Sequence, residues 1–241
     1  DNQIGLLLSV GMFMQVISAL FSGIVTDKYG RRRVTFFMDI VSWSVPCLIW
    51  AFSQNFWWFL VAAVFNSMFQ ITVTSFQCLM IEDCEEKHLV NLFTWVNIAG
   101  LLSVFFAPLS TLFVSKYSLV PTVRMLYIIA FVFMTSKFII LYFSSKETRH
   151  GIKRMEETRN QSVWSLFLEY KQVFRKLFAS RQMLLIMSIF VLINISILTT
   201  GNFFSLYITQ NLGIPEEYVP FFPIARSAIM LIFSFLLQPT I

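Results

Sequence analysis

The chain has 241 residues, 57% hydrophobic, 17% aromatic and only 13% charged, with a mean hydropathy of +0.71. Soluble domains carry roughly a quarter charged residues, so a water-soluble globular protein is excluded; three cysteines make no paired disulfide framework, and the apolar excess excludes disorder. The net charge of +5 does not point to nucleic acid, because the bases lie between apolar runs, where they set membrane orientation.

A helix that crosses a bilayer needs about 20 mostly apolar residues. Seven such runs are present, at 5–26, 34–52, 57–81, 92–114, 122–143, 183–208 and 219–237. Open strands cannot satisfy their backbone groups in hydrocarbon, so the expected fold is an all-α polytopic membrane bundle. Gly11, Gly23, Pro46, Gly100, Pro108 and Gly201 inside these runs are tolerated, since neighbouring helices re-satisfy freed backbone groups. The chain opens on Asp1 with no charged leader and stops at Ile241 just after an apolar run, so it is read as a piece of a longer protein.

The first run carries Gly11, Gln15, Ser18 and Ser22 on one helix face. It ends in Gly23-Ile24-Val25-Thr26-Asp27-Lys28-Tyr29-Gly30-Arg31-Arg32-Arg33. Gly23 permits close helix approach. Asp27 stands at a helix C-terminus, where the macrodipole disfavours an anion, and so requires a cationic or helix-N-terminal partner. Gly30 permits the left-handed turn that reverses the chain, and the arginines add positive charge to the inner surface.

A tight hairpin with flanking bases accounts for the arginines but not for Gly, Asp, Lys and Gly at fixed offsets. The pattern resembles the GxxxD(R/K)xGR(R/K) loop between the second and third helices of the major facilitator superfamily, and every position of that motif is matched. The resemblance implies that the seven runs are the second to eighth of twelve helices. It further implies two six-helix bundles around a cavity that opens alternately to each side, with Gly23, Asp27, Lys28, Gly30, Arg31 and Arg32 in a cytoplasmic latch. Residues 1–143 then form the first bundle without its first helix, 144–181 a linker, and 182–241 the first two helices of the second bundle.

The second run places Asp39 six residues inside Arg33, and the fifth places Lys137 six residues inside Phe143. Equal depth suggests a structural ion pair. On the third run Asn66, Gln70, Thr74 and Gln77 share a face, read either as interhelical hydrogen bonding or as the lining of a polar substrate route. By the resemblance, Gln15, Asn66, Gln70, Asn97, Asn194, Asn202 and Arg226 border the cavity. Phe56, Trp57 and Trp58, with Tyr117 and Tyr218, are placed as an aromatic belt. The acidic cluster Glu82, Asp83, Glu85 and Glu86 is either a solvated face or part of a salt-bridge network with the motif loop. The fourth run lacks the glycine-rich Gly-Pro motif of the family's antiporters, offering Gly100 and then Ala107-Pro108-Leu109-Ser110-Thr111.

From residue 144 the composition turns charged. Val163, Leu166, Phe167, Tyr170, Val173, Phe174, Leu177 and Phe178 recur at helical spacing, predicting an amphipathic helix over 162–180 that lies in the interface or docks a partner. Alternate connections hold nearly all the bases, so positive-inside logic places residues 144–181 and the C-terminal end in the cytoplasm of a plasma-membrane protein, with the N-terminal end outside. Arg226, inside the last run, is costly in hydrocarbon; it either snorkels or faces a water-filled cavity to meet an anionic group.

An enzyme is not expected: His88 and His150 stand in loops without a catalytic motif, and Cys47, Cys78 and Cys84 lack metal spacing. No cofactor is expected. The resulting reading is a monomeric secondary transporter that moves a small solute by alternating access, with the proton as candidate coupling ion and the lipid bilayer as its surroundings. A seven-helix receptor is the competing reading.

Overall fold

The computed structural model describes residues 2–106, 113, 116–215, 218–219 and 221–237, with backbone only at 2, 4, 169, 171–174, 176, 198–199, 202–203, 205–206 and 236–237. Among them the regular structure is helical: α1 (Asn2–Tyr29), α2 (Arg31–Asp39), α3 (Val45–Ala51), α4 (Phe56–Ser67), α5 (Phe69–Ile81), α6 (Glu86–Ser103), α7 (Leu119–Ser144), α8 (Arg149–Thr158), α9 (Val163–Ala179), α10 (Arg181–Leu206) and α11 (Phe221–Leu237). Among the described residues five stretches are long and apolar enough to cross a membrane: Gly5–Tyr29, Arg31–Ala51, Phe56–Ile81, Glu86–Phe106 and Leu119–Ser144. They correspond to the first five sequence runs. The sixth and seventh fall on α10, which is 26 residues long, and α11, 17 residues long. The end of the fourth run, from 107 onward, falls almost wholly outside the described residues.

The chain divides into two compact units, Asp1–Glu86 with Phe113–Leu168, and Lys87–Leu112 with Glu169–Ile241. Helix α8 and the first turn of α9 lie in the first unit, and α6 lies in the second. In the first unit α1 lies against α4 and α5, α2 against α5, and α3 against α4 and α7. In the second, α11 packs on the 3-10 turn Val104–Phe106, and Phe204 meets Phe222 edge-on at 5.9 Å.

Burial follows the logic of a lipid solvent. Ser18, Ser22, Thr26, Thr35, Ser42, Ser44, Ser67, Thr72 and Ser75 are buried, whereas Phe133 and Phe143 are 72% and 77% exposed. Small polar residues let helices approach closely and hydrogen-bond, while large apolar side chains lose nothing by facing hydrocarbon.

Two irregularities arise from identifiable residues. Ile40–Ser44 forms a π-helical turn between α2 and α3. Pro46 has no N–H to give the Ser42 carbonyl four residues back, and the Asn66 Nδ2 amide donates to that carbonyl instead at 2.9 Å. The third run is broken at Met68, whose N–H reaches the Phe65 carbonyl at 3.1 Å while its own carbonyl accepts from Ile71 at 3.0 Å. These three-residue bonds tighten the helix and shift its register. The buried face of α5 is therefore Ile71, Thr72 and Ser75, and Gln77 is exposed, contrary to the single polar stripe expected through Asn66, Gln70, Thr74 and Gln77.

Candidate functional site at the motif loop

Helix α1 ends with the Gly30 N–H on the Thr26 carbonyl at 3.0 Å, and α2 begins one residue later. Gly30 has the positive φ expected, 87°, but a ψ of 151°. This is an extended conformation nearly exclusive to glycine rather than the left-handed helical one. With no side chain to cap α2, the first N–H groups of that helix require an acceptor from elsewhere.

Glu147 supplies it. Its Oε1 accepts from the Arg31 N–H at 2.9 Å and its Oε2 from the Arg32 N–H at 3.0 Å, a carboxylate seated on a helix N-terminus where the macrodipole favours negative charge. A Cβ on Gly30 would stand 2.6 Å from Oε2, and one on Gly151 would collide with Oε1, so two glycines leave the space that this carboxylate fills.

Arg31 is buried at 2% exposure and holds two acids together. Its Nε and Nη2 donate to Glu82 in a fork at 2.9–3.1 Å, and Nη2 also meets Asp27 Oδ1 at 2.9 Å. Its Nη1 alone lacks a partner among the described residues. Asp27 Oδ2 accepts from Arg154 Nη2 at 2.9 Å and Nε at 3.2 Å, and Arg154 Nη1 reaches Glu157 at 2.9 Å. The acid at the C-terminal end of α1 thus has the cationic partners that its position requires.

Arg32 closes the other side. Its Nε donates to the Tyr142 carbonyl at 2.8 Å, and its guanidinium lies 4.1 Å from the Tyr142 ring centre, placing a cation over the last turn of α7. Lys28 Nζ donates to the Gln161 carbonyl at 2.5 Å, fastening the end of α1 to the turn after α8. Thr148 begins α8: its hydroxyl accepts from the Gly151 N–H at 2.9 Å and donates to Glu82 Oε2 at 2.5 Å. The Arg149 N–H at the same helix start donates to the Asp83 carboxylate at 3.2 Å. Beside these bonds lies an open pocket of about 690 Å³ lined by Glu82, Asp83, Cys84, Glu85, Arg149, His150 and Lys153.

The acids and bases therefore tie the ends of α1, α2, α5, α7 and α8 together on one face. No group of three or more metal-binding side chains occurs among the described residues. Ion pairs of this kind fix the placement of these helix ends against one another.

The remaining sequence-derived residues are dispersed. Gly23 and Gln15 are half-buried on α1, and Gly11, Ser18 and Ser22 are buried on the same face. Asn66 is engaged with the Ser42 carbonyl, and Gln70 is half-buried on α5. Asn97, Asn194 and Arg226 are exposed in the second unit, where Asn194 Nδ2 donates to its own helix at the Phe190 carbonyl; the side chain of Asn202 lies outside the described residues. Among the described residues no contact within 4.0 Å joins Asp39 and Lys137, although the Lys137 charge acts on Asp39. Asp39 is buried, but Lys137 is exposed with its ammonium 4.7 Å from the Phe138 ring centre. Equal depth along two helices fixes height and not facing, and the residue beside Lys137, Phe138, is buried.

Glu147, Thr148, Gly151 and Arg154 were not singled out by the sequence reading. Their signal was a Thr N-cap, preceded by an acid, at the head of a charged stretch. The amphipathic helix appears as α9, with Leu166 buried and Phe167 stacked on Phe21 at 5.4 Å; its polar residues Glu169, Lys171, Gln172 and Lys176 have side chains outside the described set.

Long apolar helices, small polar residues buried between them and a charged staple across their loop ends define a polytopic membrane protein of the transporter type. The chain belongs to the Major Facilitator Superfamily, whose model matches residues 1–240. It is a multi-pass membrane protein and a transporter of that superfamily, whose members move small solutes and are not enzymes. No curated protein and no solved structure matches the chain.

Proposed function

We propose that the protein moves a small polar solute by alternating access, and that the motif-loop bonds hold the helix ends in one of its two states. The observation that carries this reading is the joint engagement of Asp27 and Glu82 by the buried Arg31, with Arg154 completing the set from α8. Such a cluster is costly to desolvate and repays that cost only in good geometry, so a shift of α1 against α2 and α8 exchanges it for water contacts and gives two discrete states.

In this reading the motif loop and residues 144–181 face the cytoplasm and the N-terminal end of the chain faces outward. Residues 1–143 and 182–241 belong to two bundles, Gln15, Asn66, Gln70, Asn97, Asn194, Asn202 and Arg226 border the route between them, and the proton is the coupling ion. The transporter works as a monomer and takes no nucleic acid.

The test is flux in proteoliposomes. Protein from the complete reading frame is screened against labelled sugars, amino acids and organic ions, with and without an imposed pH gradient, beside Asp27→Asn. Gradient-dependent entry of one solute class that collapses in the variant supports the reading. Folded protein that moves none of them, with ligands still raising its melting temperature, favours a receptor on the same fold.

A further inference from the structure

Met155 stands in α8, directly after Arg154, and is half-buried. Of the eleven methionines in the chain it alone lies outside the seven apolar runs, where water-borne reagents reach it. Its neighbours on α8 face the motif loop: Arg154 bonds the Asp27 carboxylate, and the Thr158 hydroxyl lies 3.4 Å from the Asp27 carbonyl oxygen. Met155 reaches the same loop. A Cβ on Gly30 would stand 2.7 Å from Met155 Sδ and 2.6 Å from Glu147 Oε2, so the sulfur and the carboxylate oxygen flank one small space over Gly30.

The backbone donors around that space are in use. Glu147 takes the Arg31 and Arg32 N–H groups, the Gly30 N–H goes to the Thr26 carbonyl, and the Gly151 N–H goes to the Thr148 hydroxyl. A thioether suits such a place, because its sulfur is a weak acceptor that does not compete for those groups. A sulfoxide does compete. Its oxygen is a polar acceptor, and it adds an atom where a methyl group would already collide. Beside a carboxylate, which only accepts, the new oxygen meets charge of its own sign; the conflict is relieved when Glu147 leaves and the sulfoxide takes an N–H in its stead. A neutral oxygen holds a helix N-terminus less well than a carboxylate does.

We propose that Met155 is an oxidation site through which peroxides loosen the motif loop. The sulfur attacks one peroxide oxygen and the O–O bond breaks. One oxygen stays on the sulfur, now oxidised by two electrons, and the other leaves as water with both hydrogens. The modification is reversible: a methionine sulfoxide reductase returns the thioether, consuming two thiols, which form a disulfide, and releasing the oxygen as water. This rests on the packing of α8 over Gly30 and not on the transport reading.

The test treats protein from the complete reading frame, in lipid nanodiscs, with graded hydrogen peroxide and then with dithiothreitol to restore oxidised thiols. Mass spectrometry follows each methionine, and the melting temperature is read on the same samples. Met155 is expected to gain one oxygen atom ahead of the ten methionines in the apolar runs, with the melting temperature falling by several degrees in step. Reductases for both sulfoxide epimers should restore the mass and the melting temperature together. Met155→Leu, similar in volume but without the sulfur, should keep the melting temperature of the untreated protein and hold it in peroxide. In Glu147→Ala, which has no carboxylate to expel, oxidation of Met155 should lower the melting temperature less than in the wild type. Met155 oxidised no sooner than the other methionines, a melting temperature that does not follow its oxidation, or an equal fall with and without Glu147 overturns the proposal. If Met155→Leu does not fold, reversal by the reductases and the Glu147→Ala comparison decide the matter. Because no solute is added, absence of flux in the screen above leaves this result untouched.

Discussion

The Asn66 amide donates at 2.9 Å to the Ser42 carbonyl, the acceptor that Pro46 leaves without its helical donor. A side chain on one membrane helix thereby repairs the backbone of another, and the π turn that Pro46 imposes becomes affordable in hydrocarbon. Asn66→Leu, which keeps the volume and removes the donor, is expected to cost about 1–3 kcal/mol. Adding Pro46→Ala returns an N–H to that position and should recover much of the loss. Thermal unfolding in detergent measures both; a double variant no more stable than Asn66→Leu would separate Pro46 from the defect.

Glu147 caps α2 across 116 residues of sequence. Glu147→Gln retains an acceptor but loses the charge, so a loss on the order of 0.5–2 kcal/mol is expected. Glu147→Ala should cost more, since it leaves the Arg31 and Arg32 N–H groups without an acceptor. Equal stability of all three proteins would show that the carboxylate does not cap the helix.

Gly30 is constrained twice, by its extended positive-φ backbone and by the Glu147 oxygen 2.6 Å from where a Cβ would stand. Gly30→Ala is expected to cost about 1–3 kcal/mol for the backbone alone. In combination with Glu147→Ala the backbone penalty should remain while the collision is relieved, so the two losses should sum to more than the double variant shows. Strict additivity in a double-mutant cycle would contradict the close approach.

Arg31 makes its bonds through a fork that Lys cannot reproduce. Removing one partner from a buried ion pair costs about 3–5 kcal/mol, and Arg31→Lys, which keeps the charge but not the geometry, should lose a substantial part of that. Arg154→Gln, at a half-exposed position, should cost less and become less noticeable in high salt. Melting temperatures across a salt series check the order; an Arg154 effect larger than that of Arg31 would reverse the ranking.

The motif loop was legible because its residues are consecutive: Gly23, Asp27, Gly30 and Arg31 show their spacing directly, and the demand of Asp27 for a cation follows from its place at a helix end. The partners were not, since Glu82, Glu147 and Arg154 lie 51, 116 and 127 residues from the groups they bind. Glu82 was visible only as one of four neighbouring acids. Hydropathy located the apolar runs because burial in lipid depends on composition alone. It could not locate the facing of Lys137 or the register change at Met68, which depend on single hydrogen bonds and on which side of a helix meets its neighbours.

Counterflow in proteoliposomes tests the central claim most directly. Vesicles loaded with unlabelled solute are diluted into a trace of the same labelled solute, for each member of the panel, and internal label is followed in time. A carrier that exposes one site alternately to each side returns labelled solute in exchange, so a transient overshoot above equilibrium is expected for at least one solute, and Arg31→Gln should abolish it. Entry that rises to equilibrium without overshoot, at a rate indifferent to internal solute, would contradict alternating access.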